Sequence, residues 1–232
     1  MNFPAETLRF LRALKRNNRR EWFNAHRDDY EMYVRQPMTA IVERLAVDLR
    51  AFAPELVASP KISMYRIYRD TRFSENKAPY KTHIAAVFPT RGLAKHEGAG
   101  AYFHVSPDEV WIGGGMYMPQ PPQLVAVREH IAGHVKQLRA IVDSPGFRKH
   151  VGPLHGDKLT RVPRGFARDH PAAEYLKFKH FIAGADLPAT VATGPAFYKT
   201  VLTVFRQITP LARFLNAPLL KADSAAGRRS HS

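Results

Sequence analysis

Cysteine is absent from the 232 residues. That excludes disulfides, thiolate nucleophiles and sulfur-ligated zinc or iron–sulfur centres. Long apolar runs are missing as well. The longest uncharged stretch, residues 110–127, carries Gly113, Gly114, Gly115, Pro119, Pro121 and Pro122, which no plain spanning helix tolerates. No membrane association is therefore expected. The amino end has Glu6 and no apolar core of a secretory leader, so the cytoplasm is the expected location. There is no Gly-Lys-Ser/Thr phosphate loop, no dinucleotide glycine fingerprint and no Gly-x-Ser-x-Gly elbow. Acidic residues are scarce: 20 Asp and Glu stand against 35 Lys and Arg, a net charge of +15. The excess is uneven. Residues 1–55 hold ten basic and eight acidic side chains, whereas residues 56–232 hold 25 and 12. Such a surplus favours anionic partners and says nothing of fold.

What is present is an ordinary globular composition, 45% apolar and 24% charged, enough to bury a core. Leu8, Leu11 and Leu14 predict a first helix that stops at Asn17-Asn18. A second begins near Arg19 or Arg20 with Trp22 and Phe23 on its apolar side. Pro37 should break or kink it before Ile41, Val42, Leu45 and Leu49 continue the pattern. Four short β-branched or aromatic segments follow: residues 61–69, 81–88, 101–106 and 109–117. In the third, Ala101, Phe103 and Val105 alternate with Tyr102, His104 and Ser106, and Ser106 to Glu109 is a tight hairpin connection. Leu124 to Val142 reads as one long amphipathic helix entered through Pro121-Pro122. Residues 144–188 are basic and punctuated by Pro and Gly, with a short helix near 171–177. Phe197 to Leu215 forms a last helical stripe, interrupted by Pro210. The fold class expected is α+β, a mostly antiparallel central sheet of four or more strands with N-terminal, middle and C-terminal helices packed on it. A single domain over 1–220 is expected, followed by a disordered basic tail, 221–232.

Residues 66–81 stand apart, with five cations and two acids interleaved with aromatics at the junction of two predicted strands. Arg66, Arg69 and Arg72 cannot separate far, and two guanidinium charges ~7 Å apart repel by roughly 2 kcal/mol at an effective dielectric of about 20. Asp70 neutralises one. Either acids from elsewhere in the fold hold the rest as an internal network, or a bound anion does. In a regular strand Arg66 and Arg69 point to opposite faces, so all three converge only if the strand bulges or ends near Tyr68.

These residues carry a resemblance. Arg66-x-x-Arg69-Asp70-x-Arg72-Phe73, followed by Asn76-Lys77-x-x-Tyr80, is similar to the signature of DUF2461, a family of bacterial proteins of unknown function. Asn17-Asn18-Arg19-x-Glu21-Trp22-Phe23, Gly113-Gly114-Gly115-x-Tyr117-x-Pro119 and Pro163-Arg164-Gly165-Phe166 resemble it too. The resemblance implies that the arginine cluster defines the family, and implies no reaction.

Three functions remain open. In the first, an enzyme or small-ligand protein handles a phosphorylated or carboxylated substrate. Arg66, Arg69 and Arg72 clamp the anion bidentately, with Lys77 and Lys81 as point charges. Asp70, its pKa depressed by adjacent cations, orients one guanidinium. Tyr80 and Lys77 are the catalytic candidates, Tyr80 as a proton donor whose pKa is lowered by Lys77 and Lys81. Arg164, presented on a rigid turn, is expected to complete the cationic cleft with Lys177 and Lys179. In the second, the basic segment binds nucleic acid, with Tyr65, Tyr68, Phe73 or Tyr80 stacking on bases, although no helix–turn–helix, RRM or zinc-finger signature is present. In the third, the motif is purely structural. No cofactor or metal is expected: Glu129-His130-x-x-x-His134 lacks the zinc-protease order, and Asp70 with Glu75-Asn76-Lys77 lacks converging carboxylates. The triple glycine favours close backbone packing over a ligand floor beside Tyr117. Oligomeric state is not legible.

Overall fold

The computed structural model describes residues 1–72 and 74–229, without side chains from residue 222 onward. Helix α1 (Ala5–Arg16) buries Leu8, Phe10, Leu11 and Leu14, and places Glu6 in its first turn and Lys15 and Arg16 in its last, the order a helix dipole favours. It ends at Asn17, whose side-chain amide donates to the Ala13 carbonyl at 3.0 Å. Helices α2 (Arg20–Ala25) and α3 (Arg27–Tyr30) lead into a π-helical turn, Glu31–Arg35, and then α4 (Gln36–Asp48).

Pro37 explains that turn. It has no N–H to give the Tyr33 carbonyl, so the ordinary i→i−4 ladder cannot pass. The buried Thr7 hydroxyl of α1 donates to the Tyr33 carbonyl instead. The expected kink is thus a local widening of a helix that continues. At 3.6 residues per turn a step of four drifts by about 40°, and the wider i→i+5 turn takes drift back. Phe23, Arg27, Glu31, Arg35 and Thr39 therefore stay along one side.

Residues 61–69 depart from the strand expected there. Pro60 fixes the start of a one-turn helix, α5 (Pro60–Ser63), held by Ser63 Oγ donating to the Val57 carbonyl and accepting from Ser59 N–H, both at 3.2 Å. The chain then runs on to Arg69 with a bend at Ile67, bridging antiparallel to the following segment, among the described residues, at Met64–Ala86 and Tyr68–Tyr80. The sheet itself is antiparallel with order β1-β2-β3-β4: Ile84–Phe88, Gly100–Val105, Glu109–Met116 and Phe181–Pro188. In β2, Ala101, Phe103 and Val105 are fully buried while Tyr102 and His104 are half-buried. Ser106 closes the β2–β3 hairpin, its Oγ accepting from Asp108 and Glu109 N–H. The fourth strand comes from the basic, Pro- and Gly-punctuated stretch for which no strand was expected. Its sequence, with Gly184, Asp186 and Pro188, has little β-branched alternation to announce it.

The expected long helix over 124–142 is two, α6 (Pro121–Gly133) and α7 (Val135–Val142), parted at His134 after Gly133. Helices α8 (Pro145–His150) and α9 (Ala173–Leu176) follow. The last helix, α10 (Phe197–Arg229), runs through Pro210 rather than stopping there. Burial of Val204, Ile208, Leu211 and Leu215 holds it, and the Thr209 hydroxyl donates to the Phe205 carbonyl at 2.7 Å near the broken ladder. The tail expected at 221–232 falls almost wholly outside the described side chains.

The chain forms two compact units. The first comprises residues 1–88, 102–112 and 186–202, and the second residues 89–101, 113–185 and those from 203 onward. In the first, Phe3, Phe88, Phe103 and Phe197 are fully buried. In the second, Gly114 and Gly115 let backbones approach: a Cβ would lie 2.2 Å from the Gly100 carbonyl oxygen at Gly114 and 2.0 Å from that of Phe181 at Gly115. Close packing, not a ligand floor, accounts for this part of the triple glycine. Asn216, 1% exposed, satisfies both backbone groups of Ala99 there, and its Nδ2 also donates to Thr90 Oγ1. No helix among the described residues is long and apolar enough to cross a membrane.

Candidate functional site

The motif loop is pinned to the first unit at Tyr80. Asn18 Oδ1 accepts from the Tyr80 N–H at 3.0 Å and its Nδ2 donates to the Tyr80 carbonyl at 2.9 Å. The Tyr80 ring, 3% exposed, stacks on Phe23 at 4.1 Å between centroids, worth about 0.5–1.5 kcal/mol beyond burial. Burial is the main influence on its hydroxyl and raises the pKa; nearby Tyr68 adds to this, and Arg20 and Arg27 pull weakly the other way. The depressed pKa expected from neighbouring lysines is thus reversed, because those lysines turn elsewhere. Lys77 Nζ donates to the Thr71 carbonyl at 3.1 Å, and Lys81 Nζ to the Arg66 carbonyl at 2.9 Å while lying 5.1 Å over the Tyr65 ring.

The five motif cations therefore do not converge as one clamp. Arg72 makes a two-pronged pair with Asp70, at 3.0 and 2.7 Å, which holds the Asp70 carboxyl down at about 2. The pair is solvent-exposed, with side chains 77% and 59% accessible, so screening leaves it little weight in stability. Asp70 does orient one guanidinium. Among the described residues the Arg69 guanidinium reaches only Ser74 Oγ, at 3.4 Å. Arg66 differs from all of these: among the described residues its guanidinium has no hydrogen-bonding or carboxylate partner. Phe73 lies outside the described residues.

Arg66 lies on the wall of a groove of about 780 Å³. One side is the helical stripe Phe23, Arg27, Glu31, Arg35 and Thr39, with Tyr30 beside it; the other is Lys61, Met64, Tyr65, Arg66, Ile67 and Tyr68. Four cations face a single carboxylate, Glu31, which Arg35 engages at 2.8 Å. Arg27 donates to Asn24 Oδ1 at 3.2 Å and lies 5.9 Å over the Phe23 ring, with no carboxylate partner among the described residues, and Lys61 has no partner among them. Burial pushes the Tyr30 hydroxyl up to about 12 and raises that of Tyr65. Both stay protonated and able to donate. The groove thus offers positive charge, neutral hydroxyl donors and aromatic surface. Lys61, Arg27 and Arg35 were not singled out by the sequence, although cations at 27 and 35 around Glu31, at spacing four, were its available signal.

A second polar array was also missed. On the half-buried face of β2, Tyr102 Oη lies 3.3 Å from His104 Nδ1, and His104 Nε2 lies 3.3 Å from Glu109 Oε1. With Tyr102 donating to Nδ1, Nε2–H is left for the carboxylate, a chain able to pass a proton. His83 sits 5.4 Å from the His104 ring. Burial, then the neighbouring His104 and Lys81, lower its pKa to about 4.

The second unit holds its own groove, about 510 Å³, lined by Asp143, Arg148, Lys158, Glu174, Tyr175 and Phe178 among others. Its charges are paired: Arg148–Asp143 at 2.7 Å and Lys158–Glu174 at 3.7 Å, with Lys177 on Glu174 at 2.6 Å. Arg164 stands exposed on a turn of this unit, next to Gly165 at φ +93°. Lys179 is exposed there too. The His130 and His134 rings lie tilted with centroids 4.3 Å apart, and His134 Nδ1 is 2.9 Å from the His130 carbonyl oxygen. No set of three potential metal ligands occurs among the described residues.

Residues 6–214 match the model of a family described as conserved hypothetical protein (DUF2461). No curated protein and no solved structure matches the chain.

Proposed function

The chain belongs to the DUF2461 family, and on that footing we propose that it binds an anionic small molecule, a phosphate or carboxylate compound, in the groove of its first unit. The observation that carries this reading is Arg66, a guanidinium on a groove wall with no hydrogen-bonding or carboxylate partner among the described residues, beside cations that outnumber the one carboxylate. Guanidinium forks suit oxyanions bidentately, and the Tyr30 hydroxyl adds a neutral donor. Binding is what these groups support. Glu31, the groove's carboxylate, is occupied by Arg35. The remaining motif cations read as architecture: Arg69, Arg72, Lys77 and Lys81 stitch their loop to its own oxygens.

The test is a thermal titration with inorganic phosphate. A ligand at a hundred times its dissociation constant stabilises by about 2.7 kcal/mol, roughly 5–10 °C in Tm for a chain of this size. Wild type should show a saturable rise, and Arg66→Gln should flatten it without lowering Tm in the absence of phosphate. Equal rises in both proteins would remove Arg66 from the site and the reading with it.

A further inference from the structure

We infer that the occupant of the groove is a phosphomonoester carrying a flat aromatic ring, of the nucleoside monophosphate type; the inference rests on the anion-binding reading above and specifies its ligand. The observation behind it is the surface that accompanies the charge. Tyr68 lines the groove with 49% of its surface accessible, an exposure that costs a large aromatic its burial. Its neighbours Phe23 and Tyr80 approach it only at 6.3 and 5.5 Å in tilted arrangements, not by face-to-face stacking. A ring face is thus open at the groove.

Arg66 and Tyr68 flank buried Ile67, where the chain bends, and both are exposed at the groove; the segment is fixed by the Tyr68–Tyr80 bridge and by Lys81 N–H donating to the Ile67 carbonyl at 2.7 Å. Residues two apart lie at most about 7 Å from each other along the chain, within the span of the sugar between a nucleotide's phosphate and its base. Arg66 therefore takes the phosphate while Tyr68 takes the ring. Beside them Tyr65 is flanked by Lys81 over its face and by Tyr102, edge-on at 6.3 Å. The volume, about 780 Å³, lies in the range of sites that take one small ligand.

The experiment is calorimetry on the full chain at moderate salt with three probes: adenosine 5′-monophosphate, ribose 5-phosphate and a short single-stranded oligonucleotide. The monophosphate should bind about tenfold or more tightly than ribose 5-phosphate, the ratio a stacked base supplies. Tyr68→Leu should bring that ratio to one while leaving ribose 5-phosphate binding unchanged, and Tyr68→Phe should restore it. Arg66→Gln should weaken both small probes by a similar factor. Equal binding of the two, lost together in Arg66→Gln, overturns the ring and leaves the anion site standing. No binding of either overturns both readings. Oligonucleotide binding tighter than the monophosphate, with a steep salt dependence, overturns the small ligand in favour of nucleic acid.

Discussion

The two grooves draw on similar residue types and differ in charge balance. In the second unit Arg148 and Lys158 face Asp143 and Glu174, and each cation has a carboxylate. In the first, Arg27, Arg35, Lys61 and Arg66 face Glu31 alone. Yet the sequence assigns most of its positive surplus to residues 56–232, and two of the first groove's cations come from the nearly balanced residues 1–55. Net charge along a chain is thus a poor guide to where charge is left uncompensated. What matters is which acids the fold delivers to the same wall.

The largest expected effect breaks that contrast outright. Reversing Lys61 and Arg66 together to Glu leaves the first groove with more acids than bases, and should abolish any phosphate-induced rise in Tm. Reversing Arg148 and Lys158 should leave the rise intact, read by the same titration. Next comes the support beneath the groove. Thr7→Val strips the Tyr33 carbonyl of its donor, and an unsatisfied polar group of this kind costs about 1–3 kcal/mol. A chemical denaturation midpoint unchanged from wild type would show that the π-helical turn does not depend on α1.

Acid sharpens the comparison in a different way. His83 is held neutral, at about 4 instead of its ordinary 6.5. The unfolded chain takes up its proton first, so the stability this residue contributes is intact above about 6.5 and lost as pH falls toward 4. Tm of the wild type should decline across that window, and His83→Gln should flatten the decline. The smallest effect expected is a gain. Glu31→Gln removes the first groove's one carboxylate and should tighten phosphate several-fold, on the order of 1 kcal/mol for one charge at a few ångströms in a wet site. A change in the opposite direction would mean that Glu31 orients Arg35 more than it repels the ligand.

The sheet, its antiparallel pairing and the helices around it were legible because Phe103, Leu11 or Val201 advertise burial through period alone. Phe181 to Pro188 was not, since a strand containing Gly184, Asp186 and Pro188 lacks that period. Within the candidate site, Arg66 and the Asp70–Arg72 pair were legible as residues. Their division of labour was not: which cations turn into the groove and which bind their own backbone depends on Asn18 gripping Tyr80, 62 positions away. Tyr80 misled for the same reason. Its lysine neighbours in sequence are not the groups that surround its hydroxyl, and burial dominates.

The turn at Glu31–Arg35 makes the groove tolerant, at that one place, of a change in the length of the chain. A turn closed i→i+5 holds about one residue more than an ordinary one, so shortening it by a single residue would let a regular α-helix run through with everything upstream facing nearly as before. The same deletion inside α4 would rotate everything upstream by about 100°. Arg27 and Phe23 would then swing off the wall although no lining side chain had been exchanged. Where a codon is lost along this stretch decides whether one side of the groove keeps its phase or is disarmed.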